Sequence, residues 1–324
     1  MLYTDSLSPT TPSWLTQLRS GDPRALARAI SVVENRAPGC SDLLKAVFPY
    51  SGHARTLGLT GAPGAGKSTL VDQLAKHYRK QEKTVGIIAV DPSSPYTGGA
   101  ILGDRIRMQD HHADPGIFIR SMATRGSLGG LARTTADVAT VLDASGRDLV
   151  LIETVGVGQD EIDIVRLADI TIVILVPGMG DDVQTIKAGI MEIADIFVIN
   201  KSDREGADRV EKEIRALQSL AIRGDAWTPP IVKTVASTGQ GIDDLATAIS
   251  NYEAYLQNNN LAQKRAVENW QERLVEMLRD HLLDQVRTKI GDQRLAEYAI
   301  EIAAHKRDPY TLVEQLTADA TVAV

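Results

Sequence analysis

The chain has 324 residues, of which 43% are hydrophobic, 24% charged and only 4% aromatic, enough for one large domain with appendages or two ordinary ones around an aliphatic core. Its formal net charge of −7, with no cluster of Lys and Arg, argues against a nucleic-acid binder and against a basic membrane-docking surface. One cysteine, Cys40, excludes an internal disulfide or a Cys-rich metal site and fits a reducing cytoplasm; the opening MLYTDSLSPTTPSW lacks a secretory pattern, and no apolar run reaches membrane-spanning length.

Residues 1–50 read as an amphipathic helical extension. Trp14–Arg19 has a short helical pattern that stops near Gly21. Asp22-Pro23 has the form of an N-cap followed by Pro at the first helical position, and Leu26, Ile30 and Val33 then fall on one face. Ala37-Pro38-Gly39 breaks that helix, and a short one follows over Ser41–Val47.

Residues 51–250 alternate aliphatic runs with helical patterns. The runs are Thr56–Leu59, Val85–Val90, Ile117–Ile119, Leu149–Ile152, Ile170–Val176, Ile196–Ile199 and Ile231–Val235. Several are apolar throughout, which suits strands covered on both faces. Strand followed repeatedly by helix implies an α/β domain with a doubly wound, mostly parallel sheet. Residues 251–324 are helical again, beyond a joint at Asn258-Asn259-Asn260. Val267, Trp270, Leu274, Met277, Leu278, Leu282, Val286 and Ile290 keep three- and four-residue spacing on one long amphipathic helix. Gly291 interrupts it, Leu295, Tyr298 and Ile302 continue in a second helix, and Asp308-Pro309 opens a third.

The segment Gly61-Ala62-Pro63-Gly64-Ala65-Gly66-Lys67-Ser68-Thr69 has the spacing of a phosphate loop, and lies between a predicted strand and a predicted helix as that motif requires. Its glycines let backbone N–H groups turn toward phosphates, and the helix N-terminus favours an anion. Lys67 is placed to reach the outer phosphates, and the Ser68 hydroxyl to ligate Mg²⁺. Leu149–Glu153 then ends a buried strand on a carboxylate, followed by Thr154-Val155-Gly156. Glu153 has the position of the acid behind Mg²⁺ in phosphate-loop enzymes, and Gly156 of the N–H that senses the γ-phosphate. The plainer alternative is a strand-end acid capping the next turn. Val157 stands where many regulatory GTPases have Gln, and Gln159 lies two further on. Valine cannot hydrogen-bond water, so slow intrinsic hydrolysis, accelerated by a partner, is expected.

Asp91, at the end of Val85–Val90, and Asp104 are candidates for the outer shell of the metal, on a Pro-, Ser- and Gly-containing loop suited to a switch; a solvated turn is the alternative for each. Farther on, a strand runs into Asn200-Lys201-Ser202-Asp203. Guanine offers two donors on one edge, N1–H and the 2-amino group, and the Asp203 carboxylate accepts both. Adenine leaves that carboxylate unpaired, which gives strong discrimination. The Lys201 stem lies along the base face, and Asn200 ties the loop to the phosphate loop. Ser237, after the strand Ile231–Val235, completes the base pocket. His111-His112 has no further ligands at metal spacing and reads as a solvated helix end; Cys40 reads as a packed thiol.

With these motifs placed, the chain resembles the MeaB/ArgK family of GTPases, whose human member is the methylmalonic aciduria type A protein. The resemblance runs through ALARAISVVE (Ala25–Glu34), GAPGAGKST, the stretches Ala89–Met108, Ser121–Ala132 and Glu153–Gln159, and NKSD. It implies a GTP- and Mg²⁺-dependent chaperone that gates adenosylcobalamin loading of an acyl-CoA mutase, chiefly methylmalonyl-CoA mutase, and protects or rescues it. It also implies a homodimer formed through the C-terminal helices. A further loop matches the family over Pro177–Lys187, where Asp182, Gln184 and Lys187 would couple mutase contact to hydrolysis and Lys187 would stabilise transition-state charge. The client stays open among methylmalonyl-, isobutyryl- and ethylmalonyl-CoA mutases. Two other readings are a kinase of a transport protein, which the guanine-reading loop opposes, and a metal-insertion GTPase for nickel enzymes, which the solitary Cys40 opposes.

Overall fold

The structure, a computed structural model, describes residues 12–91, 114–123, 130–154, 167–178, 193–220 and 226–321. Among these residues seven strands form one sheet: β1 (Arg55–Gly61), β2 (Val85–Asp91), β3 (Ile117–Ala123), β4 (Leu149–Glu153), β5 (Ile170–Leu175), β6 (Ile196–Asn200) and β7 (Ile231–Thr234). Their order is β3-β2-β4-β1-β5-β6-β7, and every pairing is parallel. This is the doubly wound sheet that the unbroken aliphatic runs predict. Every residue of β4, β5 and β6 is buried.

Alternate strand residues divide between two cores, as the two-residue period requires. Leu149 and Leu151 of β4, Ile170, Ile172 and Ile174 of β5, and Ile196 and Val198 of β6 join one cluster. That cluster is covered by α4 (Lys67–Lys80) through Leu70, Val71 and Leu74, and by α7 (Ile242–Asn258) through Leu245, Ile249 and Tyr252. On the opposite face, Val150 and Ile152 of β4 pack with α5 (Gly130–Ala144) and with the N-terminal helices α1 (Pro12–Arg19), α2 (Pro23–Glu34) and α3 (Cys40–Val47). Val173, Phe197 and Ile199 meet α6 (Ala207–Leu220) there. The N-terminal helices thus share a core with β2 and β4, and α7 runs across residue 250.

Helix α2 begins as its sequence requires. The Asp22 carboxylate accepts from Arg24 N at 3.0 Å and Ala25 N at 2.7 Å, and Leu26, Ala29, Ile30 and Val33 are buried. At the N-terminal ends of the strands, aspartates take up backbone donors that the ladder leaves over. Asp148 accepts from Thr84 N at 2.7 Å, Asp169 from Thr56 N at 2.8 Å, and Asp195 from Thr171 N at 2.9 Å. That edge is occupied by structural contacts, and the loops at the other edge carry the predicted motifs.

Each strand has an end that differs from the sequence expectation by a residue or more, and three show the reason. Strand β3 runs on to Ala123 because β2 pairs with it as far as Asp91. Strand β1 extends through Gly61, paired with Ile174; its φ of +150° and the Ile174 carbonyl, which a Cβ would strike, leave glycine alone there. Strand β7 stops at Thr234, and Val235 instead bridges to Gln240 across a turn.

The chain divides into two compact units, Met1–Ala262 and Gln263–Val324. The second contains nearly all of α8 (Leu261–Ile290), with α9 (Asp292–Ala303) and α10 (Pro309–Thr321). Gly291, with φ +79°, separates α8 from α9, and Asp308 caps α10 through Thr311 N at 2.7 Å. No residue of α8 is buried, and Val267, Leu274, Leu278 and Leu282 are each at least half exposed. Among the described residues no helix is long and apolar enough to cross a membrane.

Candidate active site

At the C-terminal edge of the sheet, β1 leads through Gly61–Gly66 into α4, which starts at Lys67. Lys67 and Ser68 are buried. The Lys67 ammonium donates to the carbonyls of Gly61 at 2.6 Å and Ala62 at 3.1 Å, so the loop is wrapped round its own cation. Thr69 follows on the first turn of α4, half-buried. Ser68 Oγ donates to Glu153 Oε1 at 2.6 Å. Glu153 ends β4 opposite Leu59 of β1, which puts a buried carboxylate beside the first turn of α4.

The Asn200–Asp203 segment meets this loop from β6. Asn200 Nδ2 donates to Ala65 O at 2.8 Å, while its Oδ1 accepts from Thr234 Oγ1 at 3.1 Å and Ala236 N at 3.0 Å. One buried amide therefore binds the phosphate loop, the end of β7 and the turn that carries Ser237. Gly66, with φ +91°, sits so close to Asn200 Nδ2 that no Cβ fits between them. Lys201 has φ +56°, and its ammonium donates to Gly64 O at 2.7 Å. Asp203 is exposed on the following turn, and Ser237 is exposed on the turn after β7.

The structure thus brings together Gly61–Ser68, Glu153, Asn200 and Lys201 from three separated stretches of chain. Asp91 ends β2, two strands from β1, and its backbone pairs with Ala123. The Asp91 side chain, Asp104, Gly156, Asp182, Gln184 and Lys187 lie outside the described residues, as do His111, His112, Val157 and Gln159. Cys40 opens α3 and packs on the α2 and α5 side of the sheet, not at these loops. Burial, and then the Asp137 carboxylate, hold its thiol above the ordinary value, so it stays protonated.

Ser68 and Glu153 offer a hydroxyl and a carboxylate oxygen side by side, the hard donors that Mg²⁺ takes. Among the described residues no group of three or more His, Cys, Asp or Glu is poised round a metal. Mg²⁺ does not need such a cage, because it is held by one or two protein oxygens with phosphates and water. The donor set fits that ion. Sequence reasoning missed Thr234, whose hydroxyl donates to Asn200, and Thr60 and Thr154, whose hydroxyls bond to each other beside Gly61 and Glu153; the partners lie 34 and 94 residues apart, and no local motif marks them.

A family model described as methylmalonyl-CoA mutase-associated GTPase MeaB matches residues 26–291. A Pyrococcus abyssi protein described as a candidate GTPase is 46% identical over 305 residues, covering 93% of this chain and 94% of its own. The GTPase ArgK of Escherichia coli is 38% identical over 84% of this chain and 83% of its own. A crystal structure described as an LAO/AO transport system kinase superposes with a TM-score of 0.70 at 28% identity, covering 95% of this chain and 97% of that one.

Proposed function

The chain belongs to the MeaB family of methylmalonyl-CoA mutase-associated GTPases, and from that premise we propose how its residues handle GTP and what the hydrolysis serves. The observation that carries the site reading is the Asn200 amide, which locks the guanine-reading loop to the phosphate loop through Ala65. The two loops then present base and phosphate contacts at a set separation. Backbone N–H groups of Gly61–Gly66 and the N-terminus of α4 receive the phosphates. Lys67 leaves the Gly61 and Ala62 carbonyls for the outer phosphate oxygens. Asp203 accepts from both guanine donors, and the Lys201 stem covers the base. Ser68 and Glu153 would hold Mg²⁺, with Asp91 and Asp104 as further acids of its outer shell, and the ion would supply charge neutralisation at the outer phosphates. Gly156 senses the terminal phosphate. Asp182, Gln184 and Lys187 couple partner contact to hydrolysis, which is slow in the isolated chain.

The purpose of that cycle is to time the loading of adenosylcobalamin into an acyl-CoA mutase and to protect or reactivate the enzyme. The family description, which names methylmalonyl-CoA mutase, supports this reading. The chain acts as a homodimer held by the apolar face of α8, which is exposed from Val267 to Leu282. A soluble existence in the cytoplasm goes with this role. Calorimetry with GTP and ATP tests the nucleotide reading: GTP binds and ATP does not compete, whereas equal binding of ATP overturns it. That same comparison decides against a kinase, the activity for which the similar crystal structure is named. Pull-downs in GTP analogue and in GDP test the client: an acyl-CoA mutase is retained in a nucleotide-dependent way, and its absence from both overturns the chaperone role.

A further inference from the structure

At the point where β1 and β4 part, Thr154 and Thr60 share a side-chain hydrogen bond of 3.1 Å. Both are buried, at 2% and 1% exposure. Thr154 N donates to Leu59 O at 3.1 Å, one step past the pairing of Leu59 with Glu153. Beyond it β1 continues beside β5 into the phosphate loop. The hydroxyl bond therefore bridges a fork whose two arms carry different halves of the site.

The contacts close a ring. Thr60 precedes Gly61, whose carbonyl holds Lys67. Lys67 precedes Ser68, which donates to Glu153. Glu153 precedes Thr154, which returns to Thr60. Two links of this ring, Lys67 to Gly61 and Ser68 to Glu153, involve groups that turn to triphosphate and cation when ligand arrives. The Thr60–Thr154 link involves none. We infer that the Thr60–Thr154 hydroxyl pair is a ligand-independent side-chain latch that, beyond the Thr154 N–Leu59 O backbone bond, keeps the Glu153 carboxylate in register with the phosphate loop during hydrolysis. The two threonines are positioning residues. They act through Glu153 on a step that tolerates little displacement of the reacting groups. This inference rests on the site reading proposed above.

Valine has the shape of threonine, and replacing both partners of a buried hydrogen bond by apolar groups of the same shape leaves stability nearly unchanged. The decisive variant is thus Thr60→Val with Thr154→Val. Its melting temperature stays close to that of the parent, while kcat for GTP hydrolysis falls about tenfold. KM for GTP and the affinity for GDP move by less than about twofold. Either single substitution gives the same loss of kcat as the pair, because each removes the one bond, and Thr154→Ser retains the parent rate. An unchanged kcat in the double variant overturns the inference. So do proportional changes in kcat and KM, single losses that multiply in the pair, a Thr154→Ser variant as slow as Thr154→Val, or a failure of all the valine variants to fold. A Lys67→Ala variant measured in parallel separates the two readings. If it hydrolyses GTP normally, the site reading itself fails; if it is inactive while the threonine variants behave as the parent, only the latch fails.

Discussion

Asp203 is exposed on the turn after β6, which leaves its carboxylate available to a purine edge. Replacing it tests the donor pattern directly. An amide offers one acceptor and one donor, which suits N1–H and the 2-carbonyl of xanthine rather than the two donors of guanine. Asp203→Asn is expected to weaken GTP binding by about 100-fold or more and to make xanthosine triphosphate the better ligand, measured by calorimetry. Equal loss of both nucleotides would count against base reading by this residue. Gly66 makes a second residue-scale case. Gly66→Ala places a Cβ against Asn200 Nδ2 at a φ of +91°. It is expected to cost about 1–3 kcal/mol in chemical denaturation and to weaken GTP binding about tenfold, because it pushes apart the two loops that Asn200 joins. At this scale the places of Lys67 and Ser68 at the start of α4, and of Glu153 and Asn200 at the ends of β4 and β6, were legible from spacing and flanking strands. The contacts of Thr234 and Ala236, which hold Asn200 from behind, were not: nothing local in Ile231–Ser237 points to a residue 34 and 36 positions upstream.

Among the elements, α2 and the paired starts of β2 and β4 carry their own tests. Asp22→Ala removes the side-chain acceptor for Arg24 N and Ala25 N and is expected to cost about 1 kcal/mol in thermal or urea unfolding, with nucleotide affinity unchanged. Asp148 links β2 to β4 through Thr84. Burial pushes its carboxyl up, but the Thr84 amide and hydroxyl and the Lys83 ammonium outweigh that and hold it below the usual aspartate value. A group whose folded value is depressed stabilises the fold fully above its unfolded value of about 4 and loses that contribution as pH falls through the folded value. The melting-temperature gap between the parent and Asp148→Asn is therefore expected at neutral pH and should narrow as pH drops below about 4. A gap that widened in acid would contradict this assignment. Element identity was readable because the aliphatic runs of β4, β5 and β6 and the Asp22-Pro23 start are local signals. The ends of β1, β3 and β7 were not, because pairing with Ile174, with β2 and across the Val235–Gln240 turn decides them.

For the whole molecule, the telling feature is the apolar surface of α8. Val267, Leu274, Leu278 and Leu282 repeat at helical spacing and remain at least half exposed, a pattern that asks for a second surface. Leu274→Glu with Leu278→Lys replaces that face by a favourable i,i+4 ion pair in good helix-forming residues, so helicity should survive. The parent chain is expected to sediment as a dimer and this variant as a monomer at micromolar concentration; an unchanged distribution would place the contact elsewhere. The N-terminal helices, by contrast, bury their apolar face, packing with Ile88, Val90 and Ile152 through Leu26, Ile30 and Val33.

By itself the sequence determined the class of sheet, the phosphate loop, the acid at the end of β4 and the strand that runs into Asn200–Asp203, because each rests on residues that are neighbours in the chain and on their two- or 3.6-residue periods. Tertiary structure alone decided that Asn200 seats against Ala65, that Ser68 finds Glu153, and that Thr60 and Thr154 close the ring between them. Those contacts join residues 85 to 135 positions apart, and only the packing of parallel strands beside one another sets which distant side chains meet.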